Sequence, residues 1–473
     1  MRKNQRKPNL FQAFLPILMM IMLLGIGSLV LDVKIEILLL LTTLFSGLLA
    51  TYLGYGWEEI IESITDKVSK TFPALVILLM VGFLIGSWMI GGTIPYLVTL
   101  GLELINPRFI IITSFLISAV VSLFTGTSWG SVSTVGVALI SIAIKMNAPL
   151  EVVAGAIVSG AYFGDKMSPL SDTTNLASMV VGANIYDHIR HMVYTTGPAF
   201  IIAGIVYTYF GITTKSFDVP VSNTMSEVDQ LFNIFSFHPL LLIPVVIVLY
   251  GSITKKPTVP VMFISGLIAM LNGIIFQGFD LKSVLNAGVI GVQPEMFNAI
   301  GININSFPND IRELLIRGGM VSMLDTLLVA LCAFSFAGVM SVTGSLEIVL
   351  RFLIQKVKTS AGLIFTTIIS CFVTVGITSN GQISILIPGE LFKDTYLKFG
   401  LKEINLSRTL EDSATVIEPL VPWTVAGMFM AETLGVKTLS YLPYAIVCYL
   451  GVVFALIWAF TGFGIAKIKE KSI

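Results

Sequence analysis

The chain has 473 residues, of which 55% are hydrophobic and 12% are charged, against about 25% charged residues in a typical soluble domain. This composition excludes an ordinary soluble protein and predicts an all-α polytopic membrane protein. Lysine and arginine together number 28, as do aspartate and glutamate, so the net charge gives no indication of nucleic acid binding.

The first candidate span runs from Phe11 to Leu31 and follows a basic N-terminus with Arg2, Lys3, Arg6 and Lys7. A signal peptide is the alternative interpretation, but this apolar run is long for one, and no small-residue cleavage site precedes Asp32. Because basic residues stay on the cytoplasmic side, we predict an uncleaved span with a cytoplasmic N-terminus.

Further candidate spans follow at about 35–53 and 72–100, with an amphipathic stretch between them. The next apolar stretch, 109–146, is interrupted at Thr125-Gly-Thr-Ser-Trp-Gly130, which predicts either a re-entrant hairpin or two short spans. Counting segments long enough to cross a bilayer gives roughly ten to twelve transmembrane helices, some of them discontinuous.

The stretch from Gly164 to Thr174 is polar, although it lies between two apolar segments. It holds six side chains with oxygen ligands: Asp165, Ser168, Ser171, Asp172, Thr173 and Thr174. A carboxylate at membrane depth is tolerated where it faces a cavity, a partner or a bound ion. Pro169 lacks a backbone donor, so it predicts a helix break that frees oxygen atoms for coordination. A short solvated loop between two spans is the alternative.

Short motifs of the first half recur in the second half at nearly one offset. The matched pairs are Gly92-Thr-Ile94 with Gly344-Ser-Leu346, Thr127-Ser-Trp-Gly130 with Thr378-Ser-Asn-Gly381, and Ser168-Pro-Leu170 with Glu418-Pro-Leu420. We therefore predict two diverged copies of one membrane unit, 1–212 and 238–473, joined by an extracellular linker, 213–237.

The placement of basic residues predicts that the two copies are inverted. Segments counted as cytoplasmic in the second copy are rich in lysine, for example Lys393, Lys398 and Lys402, whereas their counterparts in the first copy carry one basic residue each. With both termini cytoplasmic, the basic side switches between the copies. Inverted repeats with discontinuous helices are typical of secondary transporters, which bind substrate and ions near the membrane midplane.

By this symmetry the binding site combines two hairpin tips with two broken helices. The candidate ion- and proton-binding residues are Thr127, Ser128, Asp165, Ser168, Asp172, Thr173, Thr174, Asn175, Ser379, Asn380, Asp412 and Glu418. Oxygen ligands suit a hard cation such as Na⁺. Because a low-dielectric site favours protonation of a carboxylate, Asp165 or Asp172 can carry H⁺ in one half-cycle and bind Na⁺ in the other.

Two further charged residues are secondary candidates. Lys166 adjoins Asp165, and it either pairs with a carboxylate in the empty site or extends to the membrane surface. Asp325 is isolated in the apolar stretch from Met320 to Phe336. A lone acid in a predicted span is a functional candidate by default.

Other ionisable residues have structural interpretations beside the functional ones. For Glu411, a local helix ion pair with Arg408 at the membrane surface is as good an interpretation as a role in the site. His188 and His191 are expected at a solvated helix end, with pH sensing as the alternative.

The motifs Gly126-Thr-Ser-Trp-Gly130 and Gly160-Ala-Tyr-Phe-Gly-Asp-Lys-Met-Ser-Pro-Leu-Ser-Asp-Thr-Thr-Asn-Leu-Ala177 resemble those of the NhaC Na⁺/H⁺ antiporter family. The segments His188 to Thr196, Leu406 to Ser413 and Pro419 to Trp423 are similar to the same family. The resemblance covers nearly the whole chain. It implies a multi-pass secondary antiporter of a bacterial or archaeal cytoplasmic membrane that exchanges Na⁺ or Li⁺ for H⁺ without a cofactor. Resemblance to the wider superfamily implies a homodimer.

Two other functions remain open at this point. Thr424-Val425 follows Pro-Trp where the family more often has Asn-Thr, which keeps a Na⁺/H⁺-coupled carrier of an organic anion or amino acid, such as a malate/Na⁺-lactate antiporter, as the alternative. An intramembrane aspartyl protease is the third hypothesis, because Tyr162-Phe-Gly-Asp165 is close to its motif. That enzyme would leave the hydroxyl-rich stretch after Asp165 unexplained, so we predict that the protein is not an enzyme.

Overall fold

The structure is a computed structural model that describes residues 5–28, 31, 33–214, 231, 234–307, 312, 315–316 and 318–468. The described part of the chain is helical and contains no strand, apart from an isolated antiparallel bridge between Leu401 and Lys467. The all-α prediction is confirmed. Most of the predicted linker, 213–237, lies outside the described residues.

The helices of the first half are Leu10–Met22, Ile35–Tyr52, Trp57–Ile90, Thr93–Leu104, Ile110–Thr125, Ser128–Ser131, Val137–Lys145, Leu150–Met167, Asp172–Val181 and Ile185–Thr213. Those of the second half are Ile243–Ile253, Thr258–Ile275, Leu281–Ile290, Pro294–Asn298, Leu324–Thr343, Ser345–Gln355, Ser360–Thr378, Gly381–Lys398, Glu403–Leu410, Val425–Leu434, Thr438–Tyr441 and Ile446–Thr461.

Nine helices among the described residues are long and apolar enough to cross a membrane, and up to eleven if each of two bent pairs is one span. The bent pairs are Glu403–Leu420 with Val425–Leu434 and Thr438–Tyr444 with Ile446–Thr461. The upper count falls within the predicted ten to twelve. Both parts of the interrupted stretch, Pro107–Thr125 and Ser128–Lys145, have the length of a span.

Close helix packing places the polar stretch beside the first interruption. Gly160 and Gly164, four residues apart, face the helix Ile110–Thr125 so closely that a Cβ on either would overlap a carbonyl oxygen of Phe115 or Ala119. Small residues at this spacing allow helix backbones to approach within a membrane. The contact brings the end of Leu150–Met167 next to the turn that follows Thr125.

Both interruptions are tight turns between two helices. Ile110–Thr125 ends at Gly126, which has φ 68°, and Thr127 caps the next helix by accepting from the Gly130 N–H. Ser360–Thr378 ends at Ser379, with φ 55°, and Asn380 caps Gly381–Lys398. We name residues 126–130 the first tip and residues 379–382 the second tip. Each tip aims a helix N-terminus at the interior of the protein.

Candidate functional site

Asp165 links the first tip to the broken helix that follows it. Its Oδ2 atom accepts a hydrogen bond from the Ser128 backbone N–H at 3.1 Å and another from the Ser128 hydroxyl at 2.8 Å. The Asp165 side chain is only 7% exposed. Because Ser128 is the first residue of its helix, the carboxylate lies at a helix N-terminus, where backbone N–H groups and the helix dipole favour an anion.

The chain after Asp165 breaks at residues 168–171, which we name the first break. Pro169 lies in this break, and Ser171 caps the helix Asp172–Val181 by accepting from the Thr174 N–H. The predicted break is therefore present. The Thr174 hydroxyl donates to the Lys166 carbonyl at 3.0 Å, and the Asn175 amide donates to the carbonyls of Pro169 and Ser171. These two side chains hold the shape of the break.

Glu418 has the corresponding place in the second half. Its carboxylate lies against the backbone of Gly381, and the backbone N–H groups of Gly381 and Ala426 favour its charge; these two residues lie in the first turns of the helices Gly381–Lys398 and Val425–Leu434. The second break, which we define as residues 416–424, includes a short 3-10 turn at Glu418–Leu420 and ends at Thr424, the cap of the next helix. Glu418 thus lies at two helix N-termini.

A cavity of about 390 Å³ lies between the two tips, the residues that flank the first break, and Glu418 of the second break. Seven of the predicted residues line it: Thr127, Ser128, Asp165, Asp172, Thr173, Asn380 and Glu418. The stacked rings of Trp129 and Phe429, 4.4 Å apart at their centroids, form part of its wall. Residues predicted from two distant parts of the sequence therefore share one cavity.

Five predicted residues do not line this cavity: Ser168, Thr174, Asn175, Ser379 and Asp412. Of the predicted carboxylates, Asp172 is exposed, whereas Asp165 is buried. This difference favours Asp165 over Asp172 as the exchanging carboxylate.

Lys166 and Asp412 form an ion pair that is almost completely buried, with 1% and 0% of the two side chains exposed. The Thr195 hydroxyl also donates to Asp412 Oδ1, at 3.0 Å. Lys166 therefore pairs with a carboxylate and does not extend to the membrane surface. The pair joins the first broken helix to the second, and it neutralises Asp412 with a fixed cation.

The structure differs from the sequence-based expectation at several other ionisable positions. Asp325 is exposed in the first turn of Leu324–Thr343, outside the cavity, where the helix dipole favours an acid. His188 and His191 are both buried, so neither is at a solvated helix end. Arg408 donates to the Gly464 carbonyl at 2.8 Å and contacts His191, instead of pairing locally with Glu411.

Among the cavity residues that sequence reasoning missed are Lys70 and Tyr162. Lys70 lines the cavity and pairs with Asp66 at 2.6 Å, one helical turn away on Trp57–Ile90. The i,i+4 spacing of this pair was visible in the sequence, but nothing in it indicated a place beside the first tip. Tyr162, which precedes Asp165 by one helical turn, also lines the cavity.

A sequence profile described as the Na⁺/H⁺ antiporter family matches residues 160–463. The chain is 49% identical to an uncharacterized Na⁺/H⁺ antiporter of Haemophilus influenzae, over 98% of both chains. It is 34% identical to the Na⁺/H⁺ antiporter NhaC of Alkalihalophilus pseudofirmus, over 94% of this chain and 93% of that one. It is also 33% identical to a malate-2H⁺/Na⁺-lactate antiporter of Bacillus subtilis, over 100% of this chain and 98% of that one.

Proposed function

Because this chain belongs to the Na⁺/H⁺ antiporter family, we propose that it exchanges Na⁺ or Li⁺ for H⁺ across the cytoplasmic membrane, with both termini on the cytoplasmic side. Asp165 gives this proposal its strongest structural support. It is a buried carboxylate that lines the cavity, and its hydrogen-bond partners are two neutral groups, the backbone N–H and the hydroxyl of Ser128. Among the described residues, no lysine or arginine forms an ion pair with Asp165, so a proton or a metal cation can neutralise this carboxylate.

Competition at one carboxylate is sufficient to couple the two ions. When Asp165 is protonated, its affinity for Na⁺ is lost, and when it is ionised it attracts a hard cation. The neighbouring hydroxyls of Ser128 and Thr173 are neutral oxygen ligands within the same cavity. The site therefore carries Na⁺ in one direction and H⁺ in the other, because it does not hold both at once.

The buried ion pair has a different role in this proposal. Since Lys166 compensates Asp412, these two charges are not available for exchange and instead hold the two broken helices together. Asp165, which is buried, and Glu418, which is half-buried, are then the acids withdrawn from solvent in the cavity that form no ion pair with a lysine or arginine among the described residues. We further propose that the two halves are inverted repeats and that the protein is a homodimer.

Proton flux in proteoliposomes with an internal pH dye tests the exchange. Addition of NaCl or LiCl outside should alkalinise the interior, because Na⁺ enters as H⁺ leaves, whereas KCl should not. Asp165→Asn should abolish the response. Asp325→Asn is the matched control, because it removes an acid that is exposed outside the cavity. Exchange that persists in Asp165→Asn would overturn the assignment of the carboxylate.

A coupled carrier of an organic anion is the second candidate function. Lys70 favours it, because this residue places a basic group in the lining of the cavity, where a substrate carboxylate could bind. In the same assay, a pH response that requires malate or lactate in addition to Na⁺ would support this function. A response to Na⁺ alone excludes an obligatory organic substrate.

A further inference from the structure

Tyr162 lines the same cavity as the two acids Asp165 and Glu418. It is on the helix Leu150–Met167, three residues before Asp165, so the two side chains share a helix face. Only 2% of Tyr162 is exposed, and the residue lines the cavity together with Asp165 and Glu418.

The hydroxyl of Tyr162 has no hydrogen-bond partner among the described residues. A buried tyrosine hydroxyl normally finds one, because leaving it unpaired is unfavourable. The other buried tyrosines follow this rule. The Tyr207 hydroxyl donates to the Tyr444 carbonyl and lies at hydrogen-bonding distance from the Ser159 hydroxyl. Tyr441 donates to the Pro419 carbonyl, and Tyr396 pairs with Thr367.

The surroundings of this unpaired hydroxyl indicate what it binds. Two carboxylates without a basic partner create a negative potential in the cavity, which attracts a cation to the space near them. A tyrosine hydroxyl offers lone pairs to a hard cation, and it can at the same time donate its proton to a carboxylate. A monovalent cation in this space can be bound by the hydroxyl oxygen and neutralised by the acids.

We propose that the Tyr162 hydroxyl oxygen is a ligand of the transported monovalent cation and connects the binding position at Asp165 with Glu418. In this arrangement the Tyr162 hydroxyl donates to one carboxylate while the cation lies against the other. Tyr162 thereby determines the affinity for Na⁺. It also couples the two acids, so that binding of a cation at one carboxylate changes the affinity of the other. This inference rests on the proposed Na⁺/H⁺ exchange.

Tyr162→Phe tests the inference, because it removes the hydroxyl and keeps the ring. We expect the apparent KM for Na⁺ in proteoliposomes to rise about tenfold, the change that corresponds to the loss of one good polar contact. The melting temperature of the sodium-free protein should be unchanged or higher, since an unpaired hydroxyl is removed. The increase in melting temperature that NaCl produces over KCl should shrink or disappear.

Tyr207→Phe is the matched control. Its hydroxyl is fully paired and lies outside the cavity. This variant should lower the melting temperature and leave the KM for Na⁺ and the Na⁺-dependent stabilisation unchanged. The control thus shows the pattern of a structural hydroxyl, which is the reverse of the pattern expected for Tyr162.

The outcomes separate the two proposals. A Tyr162→Phe protein that keeps the wild-type KM and the full stabilisation by NaCl overturns the role of Tyr162, while wild-type exchange still supports the proposed function. If the wild type shows neither Na⁺-driven proton flux nor stabilisation by NaCl, the Na⁺/H⁺ exchange itself is overturned, and the role of Tyr162 with it.

Discussion

The first and second tips hold their carboxylates with different pairs of residues. In the first tip, the short side chain of Asp165 binds the backbone and the hydroxyl of Ser128. In the second tip, the longer side chain of Glu418 approaches Gly381, where a Cβ would overlap its Oε2 atom. The additional methylene of glutamate therefore occupies the space of the missing serine side chain, and both acids reach a helix N-terminus.

This difference separates the two positions chemically. Around Asp165, the Ser128 hydroxyl adds a neutral oxygen that can bind a cation. Around Glu418, the neighbouring groups are backbone N–H groups at helix N-termini, such as that of Gly381, which stabilise an anion but cannot bind a cation. We infer that the cation binds mainly at the first tip. The second tip contributes the negative charge of Glu418, which is coupled to the binding position at Asp165.

The largest expected effect comes from breaking the connection between the two regions. Lys166→Met leaves Asp412 charged and unpaired in a buried position, which typically destabilises a protein by about 3–5 kcal/mol. We expect a large drop in the melting temperature of the purified protein. Adding Asp412→Leu should restore much of the loss, because the unpaired charge is then removed.

The exposed pair of Arg351 and Glu347 provides the control. Glu347→Gln should leave the melting temperature nearly unchanged, because exposed pairs contribute little. A Lys166→Met protein as stable as this control would show that the buried pair does not hold the broken helices together.

The second prediction tests whether Gly381 exists to make room for Glu418. Gly381→Ser should displace the carboxylate, destabilise the protein by about 1–3 kcal/mol, as overpacking usually does, and reduce the exchange rate. Gly381→Ser with Glu418→Asp copies the pair found in the first tip, and it should recover most of the stability. Melting temperature and proton flux measure both effects.

Gly204→Ser is the matched control for this pair, because a Cβ there would lie 3.9 Å from the nearest atom, in ordinary contact. If Gly381→Ser is tolerated as well as Gly204→Ser, the two tips are not alternative solutions to the same packing problem.

Much of this arrangement could be predicted from local sequence patterns. Pro169 among hydroxyls indicated the first break, and turn residues such as Gly126 and Asn380 indicated the tips. The helix caps were harder to predict. The sequence match pairs Thr127 with Thr378, whereas the residues that cap the helices after the two turns are Thr127 and Asn380.

The contacts between distant segments could not be predicted. Lys166 and Asp412 are 246 residues apart, and no local pattern states which acid a buried lysine will meet. The same applies to Tyr162, which in the sequence is one aromatic residue among many in apolar segments. Its importance depends on the absence of a hydrogen-bond partner, and only the packed structure reveals that.

The third prediction sharpens the chemical difference between the tips. Ser128→Ala removes the hydroxyl beside Asp165 and keeps the backbone N–H contact. We expect the KM for Na⁺ to rise about tenfold with a smaller change in maximal rate. Ser141→Ala is the control, because its hydroxyl bonds the Val137 carbonyl outside the cavity. An unchanged KM in Ser128→Ala would show that the cation does not bind this hydroxyl.

The smallest effect is expected at the residue that turns the chain in the second tip. Ser379 has φ 55°, a left-handed conformation that disfavours a side chain, and its hydroxyl is buried without a partner among the described residues. Ser379→Gly should relieve this strain, which stabilises the folded state. Glycine also adds entropy to the unfolded state, which offsets part of this gain, so we expect a net stabilisation of roughly 0.5 kcal/mol.

The reverse substitution in the first tip should have the opposite sign. Gly126 has φ 68°, and a Cβ there would lie 2.7 Å from Leu170, so Gly126→Ala should lower the melting temperature. Because Ser379 does not line the cavity, Ser379→Gly should keep the wild-type KM for Na⁺. A raised KM would instead show that the Ser379 hydroxyl reaches the cation during transport, which would make the two tips more alike in function than their geometry indicates.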